Sequence, residues 1–169
     1  LISQKPLPEA DEAPRVKGRR PRPAPARPHL VVLTPTRELA QQVTAATTQF
    51  DKYLRRTICG SIVGGMPYPR QLEMLAKMPD ILVATPGRLL DHMNSGRIDL
   101  SELSMLVFDE ADRMLDMGFE EDIHKIIKKT PPKRQSLLFS ATYPDAIQGM
   151  SQRVLQSPVV VSIESQDDY

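Results

Sequence analysis

Six short apolar runs alternate along the chain with stretches of helical period, and no other feature constrains the fold as tightly. The runs lie at residues 30–34, 57–63, 81–85, 105–109, 136–140 and 159–163. Between the first two, Leu39, Val43, Ala46, Phe50 and Leu54 recur at steps of four, three, four and four, which places them on one face of a helix. Further helical stretches cover 69–78, 86–94, 119–129 and 144–155. The runs are nearly continuous in apolar character, the pattern of strands buried on both faces of a parallel sheet. The expectation is an α/β fold in three layers, with helices on both faces of a parallel sheet. In such sheets the chemistry gathers at the carboxyl ends of the strands.

Composition narrows the setting. The longest uninterrupted apolar runs span four or five residues, whereas a bilayer needs ~20, so no transmembrane helix is expected. Residues 1–12 have neither the basic nor the apolar region of a secretory signal, and the single cysteine, Cys59, cannot form an internal disulfide. A reducing cytoplasm is the expected location. Charge is uneven: the first 29 residues hold seven basic and three acidic groups, leaving 15 basic and 18 acidic in the remaining 140. Seven of the 16 prolines also fall in residues 1–29. Residues 13–28 are therefore expected to be a solvated, polyproline-like or disordered segment, with a weak, salt-sensitive phosphate contact as the alternative. His29, His92 and His124 lack ligand partners at metal spacing and read as surface or cap residues. Cys59 reads as a buried small hydrophobe, and Met114, Leu115, Met117 and Phe119 as packing around a short helix and a turn at Gly118.

The strand at 105–109 ends in an unusual way. Met105 to Phe108 runs into Asp109-Glu110-Ala111-Asp112, so an apolar strand delivers two adjacent carboxylates, and a third two positions later, to the sheet edge. Partly burying that much negative charge without a cation is costly. A Mg²⁺ ion held by Asp109 through water would offset the cost, leaving Glu110 to orient or deprotonate a water that attacks a phosphate. The plainer alternative is a set of acids capping the next helix, for which one carboxylate would suffice.

Two other strand ends have a shared form. Pro35-Thr36 and Thr85-Pro86 each close a strand and open a helix, and helix N-termini present free N–H groups to anions. Arg37 and Arg88 add guanidinium donors there, and Gly64, Gly65 and Gly87 let another backbone come close. Anion sites in series along one sheet edge suit a sugar-phosphate backbone read without base specificity. Ordinary βα turns would explain Thr85, Pro86 and Gly87 equally well, and both arginines could serve surface ion pairs.

Asp109 to Asp112 spells DEAD, and in its company the chain resembles the first RecA-like domain of a DEAD-box RNA helicase. Pro35-Thr36-Arg37-Glu38-Leu39-Ala40 resembles the family's motif Ia, Gly64-Gly65 its GG motif, Thr85-Pro86-Gly87-Arg88 its motif Ib, and Ser140-Ala141-Thr142 its motif III. The resemblance covers about residues 30–165. It implies a RecA-like sheet, ATP and Mg²⁺ as cofactors, RNA as partner through motifs Ia, GG and Ib, and Asp109 and Glu110 as the catalytic acids. It also implies that Ser140 and Thr142 hydrogen-bond the DEAD carboxylates, particularly Asp112, and couple hydrolysis to strand separation. On the residues alone, Thr142 could instead cap the helix that begins near Pro144.

The family pattern also includes a phosphate-binding loop, G-x-x-x-x-G-K-[ST]. Among the eight glycines only Gly60 and Gly65 have that separation, and Met66 rather than lysine follows. The expectation is a fragment that starts just after that loop: 1–29 a flexible Pro/Arg-rich segment, 30–165 a partial ATP-binding domain, 166–169 the start of an interdomain linker, with the second RecA-like domain absent. Its sheet would lack the P-loop strand between 136–140 and 159–163, leaving the latter poorly held. Two functions follow: part of an ATP-dependent RNA helicase, inactive by itself, or an ATP-independent RNA-binding or interaction module with a relic acidic motif.

Overall fold

A computed structural model describes residues 24–51 and 57–155. Five strands, β1 (Leu30–Leu33), β2 (Cys59–Ile62), β3 (Ile81–Ala84), β4 (Met105–Phe108) and β5 (Gln135–Leu138), form one sheet in the order β2-β3-β1-β4-β5. Every pairing is parallel. Five helices lie between them, α1 (Arg37–Asp51), α2 (Tyr68–Ala76), α3 (Pro86–Asn94), α4 (Ala111–Asp116) and α5 (Glu120–Lys128), and α6 (Asp145–Val154) follows β5. The expected α/β fold with a parallel sheet is the one observed, consistent with a RecA-like domain. The anticipated strand at 159–163 lies outside the described residues. No helix among the described residues is long and apolar enough to cross a membrane.

Alternation along the strands sorts the core into two layers. Val31, Leu33, Leu82, Ala84, Leu106 and Phe108 point to one face, where they meet Leu89 and Met93 of α3, Met114 of α4, Ile123 and Ile126 of α5, and Ile147 and Met150 of α6. Val32 and Val83 point to the other, against Ala40 and Val43 of α1. Burying one such aliphatic or aromatic side chain contributes about 1.5–3 kcal/mol. The first layer therefore supplies most of the apolar stabilisation.

The structure differs from the sequence reading in four places. The inward face of α1 is Leu39, Ala40, Val43, Thr44 and Thr47, while Ala46 is exposed. Thr44 and Thr47 can lie on that face because their hydroxyls donate to the carbonyls of Ala40 and Val43, at 2.7 and 2.8 Å. The proline-rich segment is docked at its end: Ala26 N–H donates to Arg97 O, Asp99 N–H donates to Ala26 O, and Ala26 and Pro28 are buried. Strand β5 is half-exposed where a strand buried on both faces was expected. Leu137 and Phe139, 36% and 55% exposed, lie on the face that α1 packs against at β1, β2 and β3. Cys59, read as a buried small hydrophobe, is half-buried against the second layer.

Candidate functional site

Strand pairing sets where the acidic residues emerge. The ladder runs one residue beyond the strands: Asp109 N–H donates to Leu33 O at 2.9 Å and Phe139 N–H donates to Phe108 O at 2.8 Å. Glu110 then turns the chain with a left-handed backbone, φ 54° and ψ 54°, uncommon for a residue with a side chain, and α4 begins. Glu110 occupies the N-cap position but makes no side-chain cap bond. Its carboxylate instead accepts a long hydrogen bond, 3.4 Å, from Arg113. Asp109 is half-buried, and burial, followed by the charge of Glu110, pushes its carboxyl above the usual aspartate value. The site thus sets two carboxylates side by side, Asp109 desolvated and Glu110 only loosely paired with Arg113.

Asp112 is treated differently. Its Oδ2 accepts from both the backbone N–H (3.1 Å) and the hydroxyl (2.8 Å) of Thr142, and its Oδ1 accepts from Arg113 N–H at 3.0 Å. Its own N–H donates to Ser140 Oγ at 3.2 Å, and Ser140 Oγ donates to Thr142 O at 2.7 Å. Ala111 N–H donates to Phe139 O, completing a bonded seam between the segments after β4 and β5. Burial raises Asp112, but the bonds from Thr142, Arg113 and Ser140 outweigh it and hold the carboxyl below the usual value. Thr142 does not cap α6: the N-cap position there is Pro144, with no side-chain cap bond.

The other candidates gather past β1, β2 and β3. Thr36 Oγ1 accepts from Leu39 N–H at 3.3 Å and so caps α1. Thr85 sits at the N-cap of α3 with Pro86 at the first helical position, although its side chain makes no cap bond. Pro35 and Pro86 are buried, whereas Arg37, Gly64 and Gly65 are exposed and Gly87 and Arg88 half-buried. Gly65 has φ +82°, and a Cβ there would stand 3.5 Å from Arg37 Nη1. The guanidinium of motif Ia therefore lies directly over the GG turn. Among the described residues no ion pair engages Arg37 or Arg88.

His92, read as a surface or cap residue, is instead fully buried. Its Nε2 bonds Gln71 Oε1 at 2.8 Å, and Gln71, also fully buried, was not singled out in the sequence. The available signal was its setting in α3, between Leu89 and Met93 on the core face. His29 and His124 are half-buried near the surface, and among the described residues no cluster of three or more His, Cys, Asp or Glu could hold a metal by itself.

Residues 15–150 match the family model described as DEAD/DEAH box helicase. The chain is 48% identical over 137 residues to the ATP-dependent RNA helicase DbpA of Escherichia coli (strain K12), an alignment covering 81% of this chain and 30% of that protein. It is 49% identical over 138 residues to the ATP-dependent RNA helicase DeaD of Klebsiella pneumoniae and to that of Escherichia coli (strain K12), covering 82% of this chain and 22% of each relative. The chain thus spans less than a third of the length of these curated relatives. With the matched region holding the five described strands and both the acidic and the arginine-bearing strand ends, the chain belongs to the DEAD/DEAH box helicase family.

Proposed function

We propose that this chain is part of an ATP-dependent RNA helicase, in which ATP binding and hydrolysis drive RNA binding and local duplex separation. The observation that carries this reading is the desolvated Asp109 beside Glu110, an arrangement that disfavours ionisation unless a cation shares the site. Asp109 would hold Mg²⁺ through water, and the ion, when bound, supplies positive charge to the phosphate oxygens. Glu110 takes the proton of the attacking water, or orients that water, and its loose contact with Arg113 leaves it available for either. Asp112, Ser140 and Thr142 report the state of the nucleotide site across the β4–β5 seam.

RNA lies along Pro35, Thr36, Arg37, Gly64, Gly65, Thr85, Pro86, Gly87 and Arg88, where backbone N–H groups and two guanidiniums meet phosphates without reading bases. The helicase activity belongs to the whole protein, with a second RecA-like domain as partner, in the cytoplasm. These 169 residues alone turn over ATP at background rate. The alternative, ATP-independent RNA binding, accounts for the arginine side alone and gives the paired carboxylates no task. The deciding measurement is ATP hydrolysis by the full-length protein with and without single-stranded RNA, alongside displacement of a short labelled RNA duplex. RNA-stimulated turnover with displacement is expected. RNA binding without turnover would establish the alternative.

A further inference from the structure

The GG turn is weakly closed by its own backbone. Met66 N–H reaches Val63 O at 3.5 Å, beyond the usual range for an N–H···O bond, and the turn contains two glycines, the residues with the greatest backbone freedom. The closing contact comes instead from α2. Gln71 Nε2 donates to Val63 O at 2.7 Å and to Met66 O at 3.4 Å, spanning the two residues that flank Gly64-Gly65.

With both amide protons on the turn, Gln71 has only its oxygen to offer His92, so the 2.8 Å contact runs from His92 Nε2–H to Gln71 Oε1. That fixes the tautomer. Nδ1 is then an unprotonated nitrogen, buried and without a hydrogen-bond partner. Burial holds His92 below the usual histidine value, keeping the ring neutral. Tyr68 stacks on the imidazole, with ring centroids 5.2 Å apart and planes 12° from parallel, and the Arg97 guanidinium lies 4.9 Å from the Tyr68 centroid. His92 belongs to α3, the helix whose first residues are Pro86, Gly87 and Arg88. A directed chain of hydrogen bonds thus runs from the GG turn through Gln71 to the body of α3.

We propose that Gln71 and His92 are positioning residues for RNA: their bond braces the Gly64-Gly65 turn against α3, so that the GG turn and the Thr85–Arg88 helix start present one continuous phosphate-binding surface. This rests on the RNA reading above. Neither residue touches RNA. Each acts through the turn it holds.

The test uses the full-length protein and a fluorescein-labelled oligouridylate, with binding read by anisotropy and folding by circular dichroism. Gln71→Met removes both donors at nearly constant volume, and His92→Phe keeps the stack on Tyr68 while losing the Nε2 proton. Each is expected to weaken RNA binding by about fivefold, the scale of one net hydrogen bond. The RNA concentration giving half-maximal ATPase stimulation should rise by the same factor. Because both changes break one chain, the double variant is expected to bind no more weakly than the weaker single variant. Gln71→Glu, isosteric but opposing carboxylate oxygens to the Val63 and Met66 carbonyls, supplies a second route to the same loss. Losses that add, or unchanged affinity in these variants while Arg88→Ala binds RNA more weakly, would overturn the brace alone. Unchanged binding by Arg88→Ala would overturn the RNA reading itself.

Discussion

Past β1, β2 and β3, the arginines of the sheet edge are left open, whereas past β4 and β5 the carboxylate of Asp112 is bonded to the residues around it. Arg37 is exposed over Gly65, and neither it nor Arg88 has an ion-pair partner among the described residues. Asp112 collects three hydrogen bonds on its carboxylate and ties α4 to the segment after β5. A surface built to meet a polyanion keeps its donors free, because any internal partner would have to be given up on binding. A coupling element needs the opposite: contacts with a defined geometry that a change at a neighbouring site can break. Asp109 and Glu110 stand between the two cases, lying on the bonded half but themselves poorly compensated.

The largest expected effect falls on that intermediate pair. Glu110→Gln in the full-length protein keeps the size of the side chain and removes the base, so RNA-stimulated ATP turnover should drop by at least ~100-fold, the lower end for loss of general-base catalysis. Nucleotide binding, followed with a fluorescent ATP analogue, should change little. Turnover equal to the wild type would move the base elsewhere. Next comes the seam. Thr142→Val deletes the hydroxyl that donates to Asp112 at 2.8 Å, and a hydrogen bond to a charged group contributes roughly 1.5–3 kcal/mol. Duplex displacement per ATP hydrolysed is expected to fall about tenfold, with Thr142→Ser restoring it. Equal losses of hydrolysis and displacement would show that the seam supports the site without coupling it.

The two halves were not equally legible in the sequence. For α3 the residue types punctuate the chain themselves: Thr85 ends a buried strand, Pro86 cannot continue it, and the anticipated span 86–94 coincides with the helix observed. The acidic cluster was visible as composition at a strand end. Its bonding to Ser140 and Thr142 was not, because those residues lie 28 and 30 positions away and only the β4–β5 pairing brings them close. That pairing entered the sequence reading through the family resemblance alone. Gln71 and His92 were missed for a related reason. Each is polar in an amphipathic helix, and periodicity assigns polar residues to the solvent face unless a partner is known, here one 21 residues distant. On α1 the anticipated Leu39 and Val43 do face inward, but the half-buried Thr44 and Thr47 were not anticipated, because their hydroxyls are satisfied by local carbonyls.

Smaller effects are expected on the open half. Arg37→Ala and Arg88→Ala should each weaken single-stranded RNA binding by about 1–2 kcal/mol, uniformly across sequences and with a shallower salt dependence, as expected when one phosphate contact is lost. Titrations of oligouridylate and oligoadenylate at two salt concentrations measure both properties. A loss confined to one sequence would mean that the arginines read bases. No loss at low salt would return them to a structural role.

The smallest effect is the one that tests the contrast between the two aspartates directly, since burial and bonding give them opposite signs. Asp112 is held below the usual aspartate value, so the folded state favours its ionised form. Its contribution to stability is present above the unfolded-state value, roughly pH 4, and is lost as pH falls through the lower folded value. Asp109 is raised, so the folded state favours its neutral form. The resulting penalty is absent below the unfolded value and grows as pH rises through the higher folded value. Near pH 7, without nucleotide or divalent cation, Asp112→Asn should therefore lower the midpoint of urea unfolding while Asp109→Asn leaves it unchanged or raises it. As the pH is lowered through 4 towards 3, both variants should converge on the wild type. A midpoint lowered at neutral pH by Asp109→Asn would mean that this carboxylate is already compensated inside the fold, which removes the physical argument for a cation at the end of β4.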